Sequence, residues 1–245
     1  TTPKLLLCLL CLLLAALPAF SAPIFVQGAT YPNGHGNTAD SYKGYLQNPV
    51  LSGNTVVVMA QGGAGATSVT DDKSNTYTQA GSTCTGNQAL VFYVAKNVTN
   101  GPTAFTVNWS STTYAQIAIM EFYNVDQTTP VDTVTAGTNP ACGTGTGTAL
   151  TSGSATPTTS GAMAVNYGLQ DATEDPIGSF TVGGNCGGFT MQVSDLVGGQ
   201  FVQTAITSGA CNANATQDTS IHWTSATLFL RPATAGTAPA SNGIR

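Results

Sequence analysis

The glutamates are the first candidates for catalytic residues, because a chain with so few of them offers few possible pairs. The sequence has only two glutamates, Glu121 and Glu174, beside nine aspartates. A glycosidase needs two carboxyl groups flanking one glycosidic bond. Glu121 follows Ile117 and Ile119 at alternating positions of an apolar run. Its carboxylate should therefore be buried, and it must either be hydrogen-bonded or serve as an acid or ligand contact. Since the spacing identifies no partner carboxylate, we expect a structural role.

Two acidic loops are candidates for calcium, a hard cation that prefers oxygen ligands. The segment LQDATEDPIG places three carboxylates within five residues, namely Asp171, Glu174 and Asp175. Asp71 and Asp72 form a second, smaller acidic turn. Neither spacing is that of an EF-hand, and acidic turns are often simply solvated. The first loop is the candidate for structural calcium, and no other cofactor is expected.

The two histidines, His35 and His222, do not predict a hydrolase. A serine hydrolase would need one of them beside a nucleophile, and the sequence contains no Gly-x-Ser-x-Gly elbow. His35 lies between two glycines and is a minor candidate for a metal or ligand contact. His222 is expected to be a surface or edge residue.

Aromatic residues offer a different chemistry, the binding of sugars. Tyr31, Tyr42 and Tyr45 fall in the segment ATYPNGHGNTADSYKGYLQNP, which is rich in amides and hydroxyls and has little strand pattern. This segment is our candidate binding loop, with Trp223 as a further contact. The alternative is a long connection packed over the edge of the sandwich. A carbohydrate platform would expose several of these residues, together with Tyr77, in one patch.

The N-terminus predicts export. Lys4 precedes the apolar run LLLCLLCLLLAAL, and Pro18 and the small-residue segment AFSA follow it. The apolar run is shorter than the roughly 20 residues that span a bilayer. We therefore interpret residues 1–21 as a cleaved signal peptide and expect a secreted or cell-surface protein with no membrane insertion after cleavage.

Composition narrows the set of partners. The net charge is −5 and the chain has no basic cluster, so nucleic acid and anionic lipid are not expected partners. Only 7% of the residues are charged, whereas about 25% is usual in soluble domains. Amides, hydroxyls and glycine must form the polar surface, as is typical of extracellular wall, matrix or surface proteins.

The cysteines agree with export. Two of the six lie in the apolar run, and four remain after cleavage. Four cysteines allow three pairings in an oxidising compartment. We favour Cys84 with Cys142 and Cys186 with Cys211, because all four lie in Gly-, Asn- and Thr-rich segments between strand patterns. Zinc is the alternative, but these four cysteines contain no Cys-x-x-Cys and have no histidine nearby in the sequence.

The pattern of the chain is that of an all-β protein with about a dozen strands. Apolar and β-branched runs alternate with Gly, Asn, Asp and Pro every 8–14 residues or so, and no helical period is sustained. Runs 55–61 and 114–123 are apolar at both alternations, which predicts strands covered on both faces. Run 104–110 alternates, which predicts a half-buried strand. Segments 69–77 and 97–102 predict hairpins.

We expect one antiparallel two-sheet β-sandwich over residues 22–232, with jelly-roll or Greek-key connectivity. Residues 233–245 are expected to be a flexible tail or the start of a linker. The GTGTGT segment at 143–148 would present threonines on one face if extended, but we expect a flexible loop there.

The succession GNTVVVMAQ, VTDDKSNTYT, ALVFYVAKNV, AFTVNWS, YAQIAIMEFYNVD and IHWTSATLFLRP resembles a group of uncharacterised secreted bacterial β-sandwich modules. Such modules often occur in multi-domain surface proteins beside immunoglobulin-like or fibronectin-like repeats. The resemblance spans roughly residues 24–232 and implies bacterial export and a sandwich fold. It carries no functional residue with it.

These observations favour a non-catalytic surface module for adhesion, glycan contact or scaffolding, because no nucleophile, phosphate or transition-metal motif is present. A glycan or another extracellular surface component is the expected partner. One alternative is a secreted polysaccharide-active enzyme of the glycosidase or lyase type. The other is a purely structural repeat of a larger surface protein.

Overall fold

The fold is all-β, as expected. The computed structural model describes residues 20–32, 38–63, 65–86, 88–170, 179–197 and 199–234. Among these residues there is no helix, and all strand pairs are antiparallel. No membrane-spanning helix is found in the described part of the chain.

The strands are numbered in chain order. The first nine are β1 (Phe20–Ser21), β2 (Ile24–Pro32), β3 (Ala39–Tyr45), β4 (Thr55–Gly62), β5 (Ala66–Asp71), β6 (Thr78–Gln79), β7 (Ala89–Ala95), β8 (Ala104–Thr113) and β9 (Ala115–Tyr123). The others are β10 (Val134–Ala136), β11 (Ala141–Thr151), β12 (Thr156–Pro157), β13 (Ala162–Gln170), β14 (Phe180–Gly184), β15 (Thr190–Asp195), β16 (Gln200–Thr207), β17 (Ala213–Leu230) and β18 (Ala233–Thr234).

A five-stranded sheet in the order β2-β9-β4-β7-β6 forms the centre. Every residue of β4 is buried, and β4 pairs with β9 on one side and β7 on the other. The prediction that runs 55–61 and 114–123 lie mid-sheet under cover on both faces is confirmed. Because their side chains are apolar at both alternations, each face of this sheet needs a covering layer.

Each face of the central sheet has its own core. Val56 and Val58 face the three-stranded sheet β3-β8-β5, where they join Phe105 and Val107. The opposite face, which includes Met59, packs against the six-stranded sheet β11-β17-β13-β16-β15 with β14 attached to β17. Three sheets are thus stacked. The expected two-sheet sandwich with jelly-roll or Greek-key connectivity is not confirmed, because one sheet cannot cover both faces.

Strand β8 shows the predicted half-buried pattern. Phe105, Val107 and Trp109 are buried, whereas Thr106 and Asn108 between them are partly exposed. The outer three-stranded sheet therefore presents one apolar face to the central sheet and one polar face outward.

The two segments predicted to be hairpins are turns that change sheets. Asp71 accepts the backbone N–H of Lys73 at 2.8 Å, as an Asx turn requires. The chain then passes from β5 in the outer sheet to β6 in the central sheet. Segment 97–102 likewise leads from β7 in the central sheet to β8 in the outer sheet. The hairpin prediction was wrong because turn residues specify a local reversal, whereas burial decides which sheet the next strand joins.

Residues 143–148 belong to strand β11 and do not form the expected loop. Thr144, Thr146 and Thr148 are exposed, and the glycines alternate with them. A Cβ at Gly145 would lie 2.7 Å from the ring of Trp223 on the paired strand β17. Glycine therefore allows this strand to lie close to a large ring. The alternation of polar and apolar residues, on which strand prediction relies, does not reveal such a strand.

The pairing of β17 with β11 shifts in register partway along β17. Residues 221–227 pair with 141–147 of β11, but after a break in register 214–216 pair with 149–151. The first part of β17 also pairs with β14. A further apolar cluster, which includes Leu150, Phe201, Ala215 and Trp223, brings together side chains of β11, β16 and β17 within this sheet.

The structure contains two disulfides with the pairing favoured from the sequence. Cys84–Cys142 has Cα atoms 5.6 Å apart and links the connection before β7 to β11. Cys186–Cys211, with Cα atoms 4.9 Å apart, closes a shorter loop near β14 and β17. Paired cysteines are typical of proteins from oxidising, extracellular environments.

The Cys84–Cys142 disulfide should contribute more to stability than the other. It spans 58 residues and Cys186–Cys211 spans 25. Loop-closure entropy then predicts losses of about 4 and about 3.5 kcal/mol when each pair is changed to serine. Urea denaturation of the two double variants measures both losses. A larger loss for Cys186→Ser with Cys211→Ser would contradict this order.

Candidate functional site

Three of the tyrosines singled out from the sequence lie together at one side of the stacked sheets. Tyr31 is on β2, and Tyr42 and Tyr45 are on β3, the edge strands of the central and outer sheets. The rings of Tyr31 and Tyr45 meet edge to face with centroids 6.4 Å apart, and the Tyr31 hydroxyl donates to the Tyr45 carbonyl. A Cβ at Gly44 would lie 2.8 Å from the Tyr31 ring. Gly44 therefore lets that ring lie against β3.

These tyrosines differ in how much surface they offer. Tyr45 is 51% exposed, whereas Tyr31 and Tyr42 are half-buried against the core between the central and outer sheets. The half-buried rings are fixed by packing, and Tyr45 supplies the accessible face. The segment predicted to be a loop is thus partly strand, and its tyrosines form a supported platform.

Asp195 lies at the end of β15, a strand that contacts β2 beside the tyrosines. Burial raises the pKa of Tyr42, and the Asp195 carboxylate and Tyr31 raise it further. Burial also raises the pKa of Tyr167, again with a contribution from Asp195. Asp195 accepts the backbone N–H of Val197 at 3.0 Å. We call Tyr31, Tyr42, Tyr45 and Asp195 the tyrosine edge. Sequence reasoning missed Asp195, because it is distant along the chain.

The other aromatic candidates lie elsewhere. Trp223 is only 6% exposed and belongs to the cluster beneath β14. Tyr77 is partly buried, and its hydroxyl donates to Asp71 at 2.9 Å. Of the five aromatic residues named from the sequence, Tyr45 alone is classed as exposed, so they do not form the patch of several exposed rings expected of a carbohydrate platform.

Glu121 is completely buried, and its oxygens face hydrogen-bond donors. Oε1 accepts the backbone N–H of Leu51 at 2.8 Å and the Asn54 amide at 2.6 Å. Oε2 accepts the Gln27 amide at 2.7 Å. The depression beside it holds about 70 Å³ and has no other carboxylate in its lining. Ligand pockets usually measure about 300–1,000 Å³, so this geometry supports the structural role.

The proposed calcium loop, Asp171, Glu174 and Asp175, lies outside the described residues, as does His35. His222 is exposed on β17. In the part of the chain that the structure describes, no group of three or more His, Cys, Asp or Glu residues could hold a metal ion.

The carboxylates of the acidic turn at Asp71 and Asp72 accept hydrogen bonds from other groups of the protein. Asp71 accepts the Asn75 side-chain amide at 2.9 Å as well as the Tyr77 hydroxyl. Asp72 accepts the backbone N–H of Thr103 at 3.0 Å. These carboxylates hold two turns together, so their oxygens are directed at protein donors.

A second surface feature was not anticipated from the sequence. A groove of about 610 Å³ runs beside β6 at the other edge of the central sheet. It is lined by Ser74, Asn75, Thr76, Thr78, Gln79, Ala80, Val94, Lys96, Asn97, Thr129, Pro130 and Val131. We call it the Lys96 groove. Its lining comes from three separate segments, and the only sequence signal was a lysine in a chain with few cations.

Comparison with known proteins does not extend this description. No protein-family model matches the chain, and no match was found among curated proteins or solved structures. Function must therefore be inferred from the geometry of the two edges.

Replacing Glu121 by glutamine tests its structural role. The amide would place a donor opposite one of the existing donors, and Gln27 cannot easily turn because it also forms a pair of hydrogen bonds with the backbone of Asn48. We expect a loss of about 1–3 kcal/mol in the free energy of unfolding. The exposed Asp40→Asn is the control, with a change within about 0.5 kcal/mol. Unchanged stability in Glu121→Gln with loss of a polysaccharide-cleaving activity would support the enzyme alternative.

Burial and the neighbouring Asp71 raise the pKa of Tyr77 above its usual value. The folded state keeps this proton at a pH where the unfolded chain, with a tyrosine pKa near 10, releases it. The stability it contributes is complete below about pH 10 and declines above it. Tyr77→Phe should reduce the loss of stability between pH 10 and 11 by about 1 kcal/mol. Denaturant unfolding between pH 10 and 11 measures it, and equal slopes in both proteins would contradict the assignment.

Proposed function

We propose that this protein is a secreted or cell-surface, non-catalytic module that contacts glycans through the tyrosine edge. The observation that carries the proposal is the edge-to-face contact of Tyr31 and Tyr45 between two edge strands, with Tyr45 half exposed and Tyr42 half-buried near Tyr31. Tyrosine offers an apolar ring face and a hydroxyl on a side chain with little conformational freedom. The C–H face of a sugar ring can lie on such a ring.

The surroundings of the platform suit a polar, uncharged ligand. Asp195 supplies a carboxylate near Tyr42 that can accept hydrogen bonds from hydroxyl groups. Leu196 and Val197, which follow Asp195, are 39% and 59% exposed and extend the apolar surface. A site of aromatic, aliphatic and hydrogen-bonding groups is typical of surfaces that bind small molecules.

The described carboxylates argue against catalysis as the main activity. Glu121 is saturated with donors beside a depression too small for a sugar. Asp132 is buried and paired with Arg231 at 3.1 Å. Neither offers the pair of accessible carboxyl groups that a glycosidase requires.

Export fits the same proposal. The two disulfides are suited to an oxidising environment, and the apolar N-terminal segment has the pattern of a signal peptide. Together with the resemblance to secreted bacterial modules, they support a role at a bacterial surface. Adhesion and scaffolding both follow from such a module.

A glycan and polysaccharide screen on the oxidised protein tests the proposal. Tyr45→Ala should weaken binding of the best ligand by about tenfold, since an aromatic contact at a binding surface contributes about 1–2 kcal/mol. Ile206→Ala is the control, because Ile206 is a 43% exposed apolar residue on β16. Binding that survives Tyr45→Ala would place the site elsewhere. A screen without any ligand would favour a structural repeat.

A further inference from the structure

The Lys96 groove has the size and the position of a ligand site. Its volume of about 610 Å³ falls within the range of about 300–1,000 Å³ that is usual for ligand pockets. It lies beside β6, whereas the tyrosine edge lies beside β2, at the opposite edge of the central sheet. The groove is thus independent of the tyrosine edge.

Hydrogen bonds fix both walls of the groove. On one wall, Asp71 binds the backbone and side-chain amides of Asn75, and Asn75 in turn accepts the backbone N–H of Thr99 at 2.9 Å. On the other wall, Asp126 accepts the backbone N–H groups of Thr128 and Thr129 at 2.7 and 2.9 Å. A groove with fixed walls loses little conformational entropy when a ligand enters.

Unusual backbone conformations occur along the same groove. Ser74 and Asn97 have φ values of 62° and 50°, in the left-handed region that favours glycine. They are two of the four described non-glycine residues with positive φ, the others being Asn100 and Asn124. Strained positions of this kind persist where the surrounding structure holds them, and they cluster at ligand sites.

Lys96 gives the groove a positive charge. Its ammonium donates one hydrogen bond to the Thr128 carbonyl at 2.6 Å, and it has no ion pair among the described residues. Lys73 and Arg231, in contrast, lie 3.4 and 3.1 Å from Asp72 and Asp132. An ammonium has three donors. Lys96 is exposed, so it can offer its remaining donors to a ligand in the groove.

We propose that the Lys96 groove binds a carboxylated sugar unit of an acidic polysaccharide. The carboxylate pairs with the Lys96 ammonium, since hydrogen bonds between charged groups are the stronger ones. The hydroxyl and amide side chains of Thr76, Thr78 and Gln79 suit ring hydroxyls, and Pro130 and Val131 offer an apolar surface to the ring. This site goes beyond the tyrosine edge, which requires no charge on its ligand.

The lining favours a sugar over an acidic peptide. Four of the lining residues carry a hydroxyl, namely Ser74, Thr76, Thr78 and Thr129, and three carry an amide, namely Asn75, Gln79 and Asn97. Side chains of this kind match the dense hydroxyl groups of a saccharide.

Calorimetry at low and moderate salt tests the proposal. It compares the binding of three polymers: a polyuronate, a neutral glucan and polyglutamate. We expect the wild-type protein to bind the polyuronate more tightly than the other two. Lys96→Met should weaken that binding about tenfold, and Lys96→Arg should keep it within about threefold. Lys43→Met, at an exposed lysine on β3, is the matched control and should bind like the wild type.

Equal losses in Lys96→Met and Lys43→Met would overturn the proposal, because they would indicate general charge attraction. Absence of polyuronate binding by the folded wild-type protein would overturn it as well, and polyglutamate binding of equal strength would assign the groove to acidic peptides. Tyr45→Ala separates the two sites: polyuronate binding should survive it, whatever happens to neutral glycans. Thermal unfolding of each variant verifies that the fold is intact.

Discussion

The structure depends on one constraint, that the central sheet is apolar on both faces. Val57 and Val58 are neighbours on β4, they point to opposite faces, and both are fully buried. A sheet of this kind cannot face water on either side. The chain therefore places one sheet over each face: the first half supplies the three-stranded layer, and the second half supplies the six-stranded layer.

Part of the buried polar surface forms a hydrogen-bonded network of uncharged side chains in the six-stranded sheet. Asn166 lies fully buried on β13 and donates to Ser225 and to Thr227, at 3.0 and 3.2 Å. Gln203 on the neighbouring strand donates to Asn166 at 2.9 Å. An amide that donates and accepts in this way avoids the desolvation cost that an ion pair would carry. This network links β13 to β16 and β17 within the six-stranded sheet.

Much of the fold could be predicted from the sequence, because runs of apolar residues are the local trace of burial. Runs 55–61 and 114–123 predicted a covered sheet, and the alternation of 104–110 predicted a half-buried strand. Strands β3 and β11 were missed, since their tyrosine, glycine and threonine residues show no apolar alternation. The number of layers was also missed. The residues of one strand show that both of its faces must be buried. Which segments cover those faces depends on how the whole chain folds.

The candidate sites followed the same division. Tyr31, Tyr42 and Tyr45 could be grouped because they are close in the sequence, and the structure adds Asp195 to them from a distant strand. The Lys96 groove could not be predicted, because segments 74–80, 94–97 and 129–131 meet only in the folded chain. Proximity along the sequence therefore predicts the grouping of the three tyrosines but not the Lys96 groove.

The central constraint also explains why both candidate sites lie at edges. Both faces of the central sheet are packed against other sheets, so no ligand can reach them. At its edges, β2 and β6 end the hydrogen-bonded ladder, and an edge must be covered or shortened to prevent pairing with other chains. The chain shortens β6 to two residues and places tyrosines beside β2. At both edges of the central sheet, polar side chains and a fixed backbone therefore lie beside accessible space. Ligand binding requires this combination.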